Sequence, residues 1–452
     1  MAKRSNKTTG TASTPVGGEA GIRVRMYRVG FGDFFLLTLR AKDGALAHIL
    51  IDCGVHAKPT NSIDRAIQQL EIDTGGELAL IIMTHRHADH ISGFDSGSEI
   101  FAKFKVGRVW MPWFESRTNP AALAFQARIT ALAQKLQLAL AARRTPDDEQ
   151  YQSMASNITG GLAAKGGGSS NERALTVLHA GFAGAKTPVD YYGSGDDPVL
   201  PDALAAIGLH AKVLGPPRDT ELVKQMDNRN HQYLVALDTL MEGASEHPGA
   251  VFESRFEGSA DNYDSGVFGA GGPLELQKAI GSMQPDMLHA AAAQADNTLN
   301  NQSLVILFNY NGKSMLFAGD AQWGNWSNFL FGGALGTPGH TTLTQSAKDI
   351  LASIDFYKVG HHGSTNATPI DALEAMKNGV VAMCSTAEHA YGSEENKSEV
   401  PRKPLMAALN TKTNHRLARS DQVPVAGAPP IATPLDPAFV TPTNDLFIDY
   451  AF

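Results

Sequence analysis

The stretch Thr84-His85-Arg86-His87-Ala88-Asp89-His90-Ile91-Ser92-Gly93 carries three imidazoles and a carboxylate within six residues, directly after the apolar run at 78–83. That run has the composition of a buried strand. Side chains of this kind are poorly placed at the end of a core strand unless something polar engages them. With 15 histidines and 46 acidic residues in 452, chance produces His-x-His-x-Asp-His in about one chain per thousand. A solvated His-rich turn would explain the cluster if it stood alone. Two later apolar runs end in the same manner. Residues 304–310 and 313–318 flank Asn311-Gly312, a strong hairpin signal, and the second runs into Gly319-Asp320. A further strand at 356–359 runs into Gly360-His361-His362-Gly363.

Upstream, Ile22, Val24 and Met26 alternate with Arg23 and Arg25, which predicts a strand with one polar face. A second strand, 34–40, follows Gly30 and Gly32, and Asp43-Gly44 turns the chain into a third at 45–52. Gly30-Phe31-Gly32 precedes a strand and not a helix, so it lacks the amide-rich terminus of a phosphate-binding loop and reads as a tight bend. Ile63, Ala66, Ile67 and Leu70 share one helical face.

After Trp110 the character changes. An amphipathic helix is predicted at 121–142, a Gly-rich break at 160–170, a helix at 171–182, a Gly/Ser/Asp-rich loop at 257–272 and an Ala-rich helix at 274–295. A helix from Pro369 and a strand at 380–384 follow. The resulting division is a disordered tail at 1–20, the first half of a domain at 21–114, an inserted, largely helical segment at 115–300, the second half at 301–423, and an extension at 424–452. That extension is Pro-rich to 442, with a last strand at 446–452.

Hydrophobic residues make up 43% of the chain and charged ones 19%, so a folded chain with a sizeable core is expected, not a disordered one. The net charge of −8 excludes a whole-protein basic field for holding nucleic acid. Cys53 and Cys384 cannot form a disulfide framework, and a pair of reduced thiols points to a cytoplasmic chain. No run approaches the ~18 apolar residues of a spanning helix, so no membrane insertion is expected.

Neutral imidazole and carboxylate oxygen are ligands of Zn²⁺. On these motifs the chain resembles the metallo-β-lactamase superfamily, and within it is most similar to the soluble metallo-hydrolase domain of ComEC/Rec2-type proteins. The likeness rests on Val29-Gly30-Phe31-Gly32-Asp33, Leu50-Ile51-Asp52, the stretch 84–93, Leu316 to Asp320, and Lys358-Val359-Gly360-His361-His362-Gly363-Ser364. It implies an α/β fold, an αββα four-layer sandwich with a largely helical insertion. It also implies His85 and His87 on one ion, Asp89 and His90 on the other, Asp320 bridging, and His361 or His362 completing the second site. Asp89 and Asp320 are then the catalytic carboxylates. Asp52 is expected to orient a ligating histidine, with Asn301 and Ser364 in similar supporting places. Two Zn²⁺ per chain are expected, with Mn²⁺ as the alternative.

Many superfamily members supply a further histidine before the bridging aspartate, where this chain has Asn300-Asn301-Gln302-Ser303. His179 is the nearest upstream substitute, but its helical pattern fits a structural residue better. The first site is thus expected to be three-coordinate from protein, weaker, or completed by the other member of the His361-His362 pair. The chemistry implied is hydrolysis by a metal-activated hydroxide, on a phosphodiester or related anionic substrate, whether small molecule or nucleic acid. Lys358, Arg86, Arg402 and Lys403 are the candidate phosphate contacts, each individually read as ordinary surface charge. The alternatives are a carbonyl hydrolase (lactonase, thioesterase or β-lactamase type) and a metal-stapled interaction protein that docks a protein partner through 115–300.

Overall fold

The alternating run Ile22–Tyr27 (β1) and the continuous apolar run Phe34–Arg40 (β2) form an antiparallel pair, with Met26 opposite Phe35 and Val24 opposite Leu37. The structure is a computed structural model that describes residues 21–56, 59–143, 170–184, 186–225, 297–332, 342–392, 394, 398–422 and 434–452. The expected tail at 1–20, most of the Gly-rich break at 160–170, the loop at 257–272, the Ala-rich helix at 274–295 and residues 424–433 of the Pro-rich stretch lie outside the described residues.

Beyond β2, Leu46–Cys53 (β3) pairs antiparallel across the Asp43-Gly44 turn, and Glu77–Ile82 (β4), Lys105–Pro112 (β5) and Val189–Tyr192 (β6) then add in parallel. Parallel neighbours need crossovers. Ile63–Thr74 (α1) connects β3 to β4, while Ala88–Ser96 (α2) and Ser98–Phe101 (α3) connect β4 to β5. On the other side of β1, Phe447–Ala451 (β14) and Phe439–Val440 (β13) complete an eight-stranded mixed sheet. A six-stranded mixed sheet runs Leu417–Arg419 (β12), Val381–Cys384 (β11), Phe356–Lys358 (β10), Lys313–Phe317 (β9), Val305–Tyr310 (β8), His210–Gly215 (β7). Its β8–β9 hairpin turns on Asn311 (φ 48°) and Gly312 (φ 72°), the left-handed pair that a two-residue turn requires.

Alternate residues of each strand enter different cores. Phe35 and Leu37 of β2, Ile49 of β3 and Leu80 of β4 meet Phe308, Met315, Phe317 and Met383 of the other sheet. Phe34, Leu36, Leu50 and Ile81 pack instead with Ala66, Ile67 and Leu70 of α1 and Phe94 of α2. On the six-stranded sheet, Leu307, Leu316 and Tyr357 pack against Trp323–Phe331 (α8) and the helices Gln345–Ser353 (α9), Ile370–Ala375 (α10) and Lys403–Lys412 (α11). The molecule is a mixed α/β sandwich built on two mixed sheets.

Of the alternating arginines of β1, Arg23 is partly exposed while Arg25 is fully buried, ion-paired to Asp73 of α1 and to Asp449 of β14, with its guanidinium carbon 3.2 Å from the Phe447 ring centre. A face that looks polar in isolation is covered once β14 and α1 close over it. The segment 115–300, expected to be largely helical, also contributes strands. It holds the helices Pro120–Arg143 (α4), Ser170–Ala180 (α5), Asp202–Ala206 (α6) and Thr220–Val223 (α7), yet β6 extends the larger sheet and β7 the smaller. Among the described residues no helix is long and apolar enough to cross a membrane.

Candidate metal centre

The chain leaves β4 at Ile82 and reaches His85 and His87 before α2 begins; His87 is that helix's N-cap residue, and Asp89 and His90 lie in its first turn. Glycines let this turn be approached closely. A Cβ on Gly32 would stand 2.4 Å from the Gly54 carbonyl oxygen and 2.8 Å from that of Asp89, and one on Gly54 would stand 2.4 Å from the Asp89 carbonyl carbon. The Gly-Phe-Gly-Asp bend and the Asp-Cys-Gly end of β3 are thus shaped to fit against the backbone of residue 89. The Asp33 amide donates to the Asp89 carbonyl at 2.8 Å and locks the fit.

Four side chains converge. The ligand-type atoms of Asp89, His90, Asp320 and His362 all lie within 4.8 Å of one another. His362 Nε2 is 3.0 Å from Asp89 Oδ2 and 3.4 Å from Asp320 Oδ2, and His90 Nε2 is 3.2 Å from Asp320 Oδ2. Asp320 arrives just beyond β9, its amide donating to Ser303 Oγ at 3.0 Å. His362 arrives beyond β10 on a left-handed run, His361 (φ 41°), His362 (φ 50°) and Gly363 (φ 77°). Non-glycine residues in that region cost energy and cluster at functional sites. Asp52 shares the feature at φ 55°.

The second nitrogen of each imidazole is tied. His362 Nδ1 is 2.8 Å from the Ser385 carbonyl, which can only accept, so Nδ1 carries a proton and Nε2, 3.0 Å from Asp89 Oδ2, is the nitrogen that faces the cluster. His90 Nδ1 is 2.8 Å from Asp52 Oδ2, and Asp52 is itself held by the Thr84 amide at 2.8 Å and the Thr84 hydroxyl at 2.6 Å. His85 Nε2 lies 3.0 Å from His87 Nδ1, and the His85 ring is centred 4.1 Å from that of His90. His85 and His87 therefore stand beside the four-residue group as an adjoining pair.

The His361-His362 alternatives separate cleanly. His361, whose charge Asp320 and Asp89 still feel, lies outside that four-residue group and meets Ser364 Oγ (2.7 Å), Asn366 Oδ1 (3.0 Å) and Asn300 Nδ2 (3.3 Å). Ser364 accordingly supports His361. Asn301, expected near a ligand, instead donates to the carbonyls of Val223 (3.0 Å) and Gln225 (2.5 Å) and accepts from the amides of Gln322 (3.0 Å) and Asn325 (3.2 Å). Its neighbours Asn300 and Ser303 are the ones that touch histidines, Ser303 Oγ lying 3.3 Å from His85 Nδ1. Nothing in the sequence separated the four polar residues at 300–303. His179 lies on α5 beside Tyr191, with burial lowering its pKa to about 4, and belongs to no candidate ion-binding group.

The reading of the basic candidates as surface charge is also corrected. Lys358 is buried, paired to Asp33 and 3.7 Å from Asp320 Oδ1. Arg86 grips Glu115 with two hydrogen bonds of 2.7 and 2.5 Å, and the buried Arg402 pairs with Glu399. Only Lys403 is exposed, and it pairs with Glu394.

Electrostatics follow from burial. Burial drives the pKa of His85 well below its ordinary value, with His90 and His87 adding to the effect. Burial also opposes the charged form of His90, but Asp320, Asp52 and Asp89 together outweigh it and raise its pKa. Against the buried carboxylates of Asp33, Asp52 and Asp320 and the nearby Asp89 stand, among the described residues, the Lys358 ammonium and the imidazoles of His90 and His362, whose pKa values these carboxylates raise against the opposing effect of burial. A buried excess of negative charge is costly unless a cation neutralises it. Donor atoms around Zn²⁺ at ~2.0–2.1 Å stand roughly 3.3 Å apart; the separations of 3.0, 3.2 and 3.4 Å are close to this, while His90 Nε2 and Asp89 Oδ2 stand wider at 3.9 Å. Asp320 Oδ1, moreover, is buried with no hydrogen-bond partner. The donor set fits a divalent ion.

No family model matches the sequence, and no curated protein matches it. Among solved structures, the crystal structure of a β-lactamase domain protein from Burkholderia ambifaria is similar over 44% of this chain and 47% of its own length, at 16% identity and a TM-score of 0.23. The chain thus spans about half of that protein, and the likeness is too slight to carry a functional reading.

Proposed function

We propose that the chain is a metal-dependent hydrolase of the metallo-β-lactamase type, with the αββα layering of that fold. One observation carries the reading: Asp89, His90, Asp320 and His362, drawn from the ends of three strands, bring their ligand atoms within 4.8 Å of one another. These four would hold one divalent ion. His85 and His87 would hold a second, Asp320 standing between, with Zn²⁺ as the first choice and Mn²⁺ as the alternative. When bound, such ions supply Lewis acidity and lower the pKa of water to near ~7.

The chain's own residues prepare that chemistry. Asp52 fixes the His90 tautomer and the Ser385 carbonyl fixes that of His362, so that Nε2 of each faces inward. Phe31, centred 4.1 Å from the His362 ring, shields that imidazole from water. Asp89 stands at the rim, its side chain 15% exposed while Asp320 is 2% exposed.

For substrate we infer an anionic ester, a phosphodiester in the first instance. Arg86, Arg402 and Lys403 are committed to carboxylates and Lys358 is buried, so the attraction for an anion would come from the metal centre, whose charge is also suited to the extra negative charge of a phosphoryl transition state. A panel of bis(p-nitrophenyl) phosphate, nitrocefin, a lactone and a thioester, run on metal-free and Zn²⁺- or Mn²⁺-loaded protein, tests this. Metal-dependent turnover of the phosphodiester is expected. Turnover of the carbonyl substrates alone would make the chain a carbonyl hydrolase of the same fold, and inactivity on the whole panel would leave the metals as a structural staple.

A further inference from the structure

Lys358 ends β10 with its ammonium buried beside the proposed metal centre, its side chain 3% exposed. Three groups surround that ammonium: it pairs with Asp33, donates to the Gly319 carbonyl at 3.0 Å, and stops 3.7 Å short of Asp320 Oδ1. A charge-assisted N–H···O bond closes at about 2.7–2.9 Å. The ammonium is therefore close to Asp320 yet not bonded to it, and Asp320 Oδ1 is left without a hydrogen-bond partner.

Asp33 is what holds it there. Its backbone is fixed on both sides, the amide donating to the Asp89 carbonyl at 2.8 Å and the carbonyl accepting from the Gly54 amide at 2.9 Å. Gly32 before it has no room for a side chain. Asp33 Oδ2 and Oδ1 also stand 3.7 Å from His90 Nδ1 and His362 Nδ1 respectively, outside hydrogen-bond reach. The carboxylate's ion pair is with Lys358, and its ligand-type atoms also lie within 4.8 Å of those of Asp52 and His90.

We propose that Asp33 is a positioning residue that restrains the Lys358 ammonium, keeping it from closing on Asp320 and competing with a divalent cation for that carboxylate. The proposal rests on the metal-centre reading above. A plain structural clamp would make both partners equally useful. A restraint makes them opposed: losing Asp33 frees the competitor, losing Lys358 removes it.

The test is Zn²⁺ affinity of the metal-free protein, measured by competition with a chromophoric chelator, with circular dichroism as the check on folding. Asp33→Asn is expected to weaken Zn²⁺ binding by about tenfold or more, within the ~10–100-fold range typical of groups that support metal ligands. Lys358→Met is expected to bind at least as tightly as wild type. The double variant Asp33→Asn/Lys358→Met, which removes one charge of each sign, is expected to recover wild-type affinity. Wild-type affinity in Asp33→Asn, or a double variant as weak as that single one, would overturn the proposal. Should Asp33→Asn fail to fold, the other two variants decide, and a tenfold loss in either is fatal. A wild-type chain with no Zn²⁺ affinity would overturn the hydrolase reading together with this one, a result distinct from a binding wild type whose variants lack the expected order.

Discussion

His90 owes its orientation to Asp52, and Asp52 in turn to Thr84, so the ligating face of one imidazole depends on a carboxylate buried beneath it. Asp52→Asn should keep the chain folded and weaken metal binding by ~10–100-fold, as removal of such supporting partners usually does; chelator competition gives the number. Asp320→Ala should abolish turnover while leaving circular dichroism unchanged, since its carboxylate serves the ions more than the core. Global unfolding of that variant would make the metals structural. At this scale the sequence was informative where spacing carries meaning. The run 85–90 contains Asp89 and His90, two of the four side chains that converge, and a strand end pointed to Asp320, a third. It was uninformative where contacts decide. His361 and His362 are identical letters, separated only by a left-handed turn that aims one at the Ser385 carbonyl and the other at Ser364 and Asn366.

Elements were legible wherever a period was clean. The pattern Ile63, Ala66, Ile67, Leu70 became α1, and the Asn311-Gly312 hairpin formed as its turn chemistry requires. Arg25 shows the limit, because its burial depends on β14, more than 400 positions away in the chain and invisible to any local window. Replacing Arg25 by Met would leave Asp73 and Asp449 without their cation, and a loss of about 3–5 kcal/mol in urea unfolding is expected for breaking a buried pair. His48 on β3 carries a pH-dependent cost. Burial, then the nearby Arg23 charge, lowers its pKa from 6.5 to about 4. Between those two values the unfolded chain binds the proton and the folded chain does not, so stability falls as pH drops through that window. His48→Gln should flatten the acid limb of the stability curve, by up to about 3 kcal/mol at its foot, as read from denaturant midpoints between pH 7 and 4.

At the scale of the whole molecule, the two sheets bring residues 89–90, 320 and 362 to one place, a convergence that no stretch of sequence contains. The strand order that achieves it was beyond pattern reading; β7, assigned to an insertion, proved to be an edge strand of the smaller sheet because Val213 pairs with Ile306. If folding and ion binding are linked, Zn²⁺ at ~100 times its dissociation constant should stabilise the chain by about 2.7 kcal/mol, seen as a higher melting temperature that Asp320→Ala does not share. The most direct measurement is anomalous diffraction at the zinc edge from Zn²⁺-loaded crystals. The predicted result is a peak within ~2.0–2.2 Å of ligand atoms on Asp89, His90, Asp320 and His362. A Zn²⁺-saturated crystal with no peak among those four side chains would contradict it.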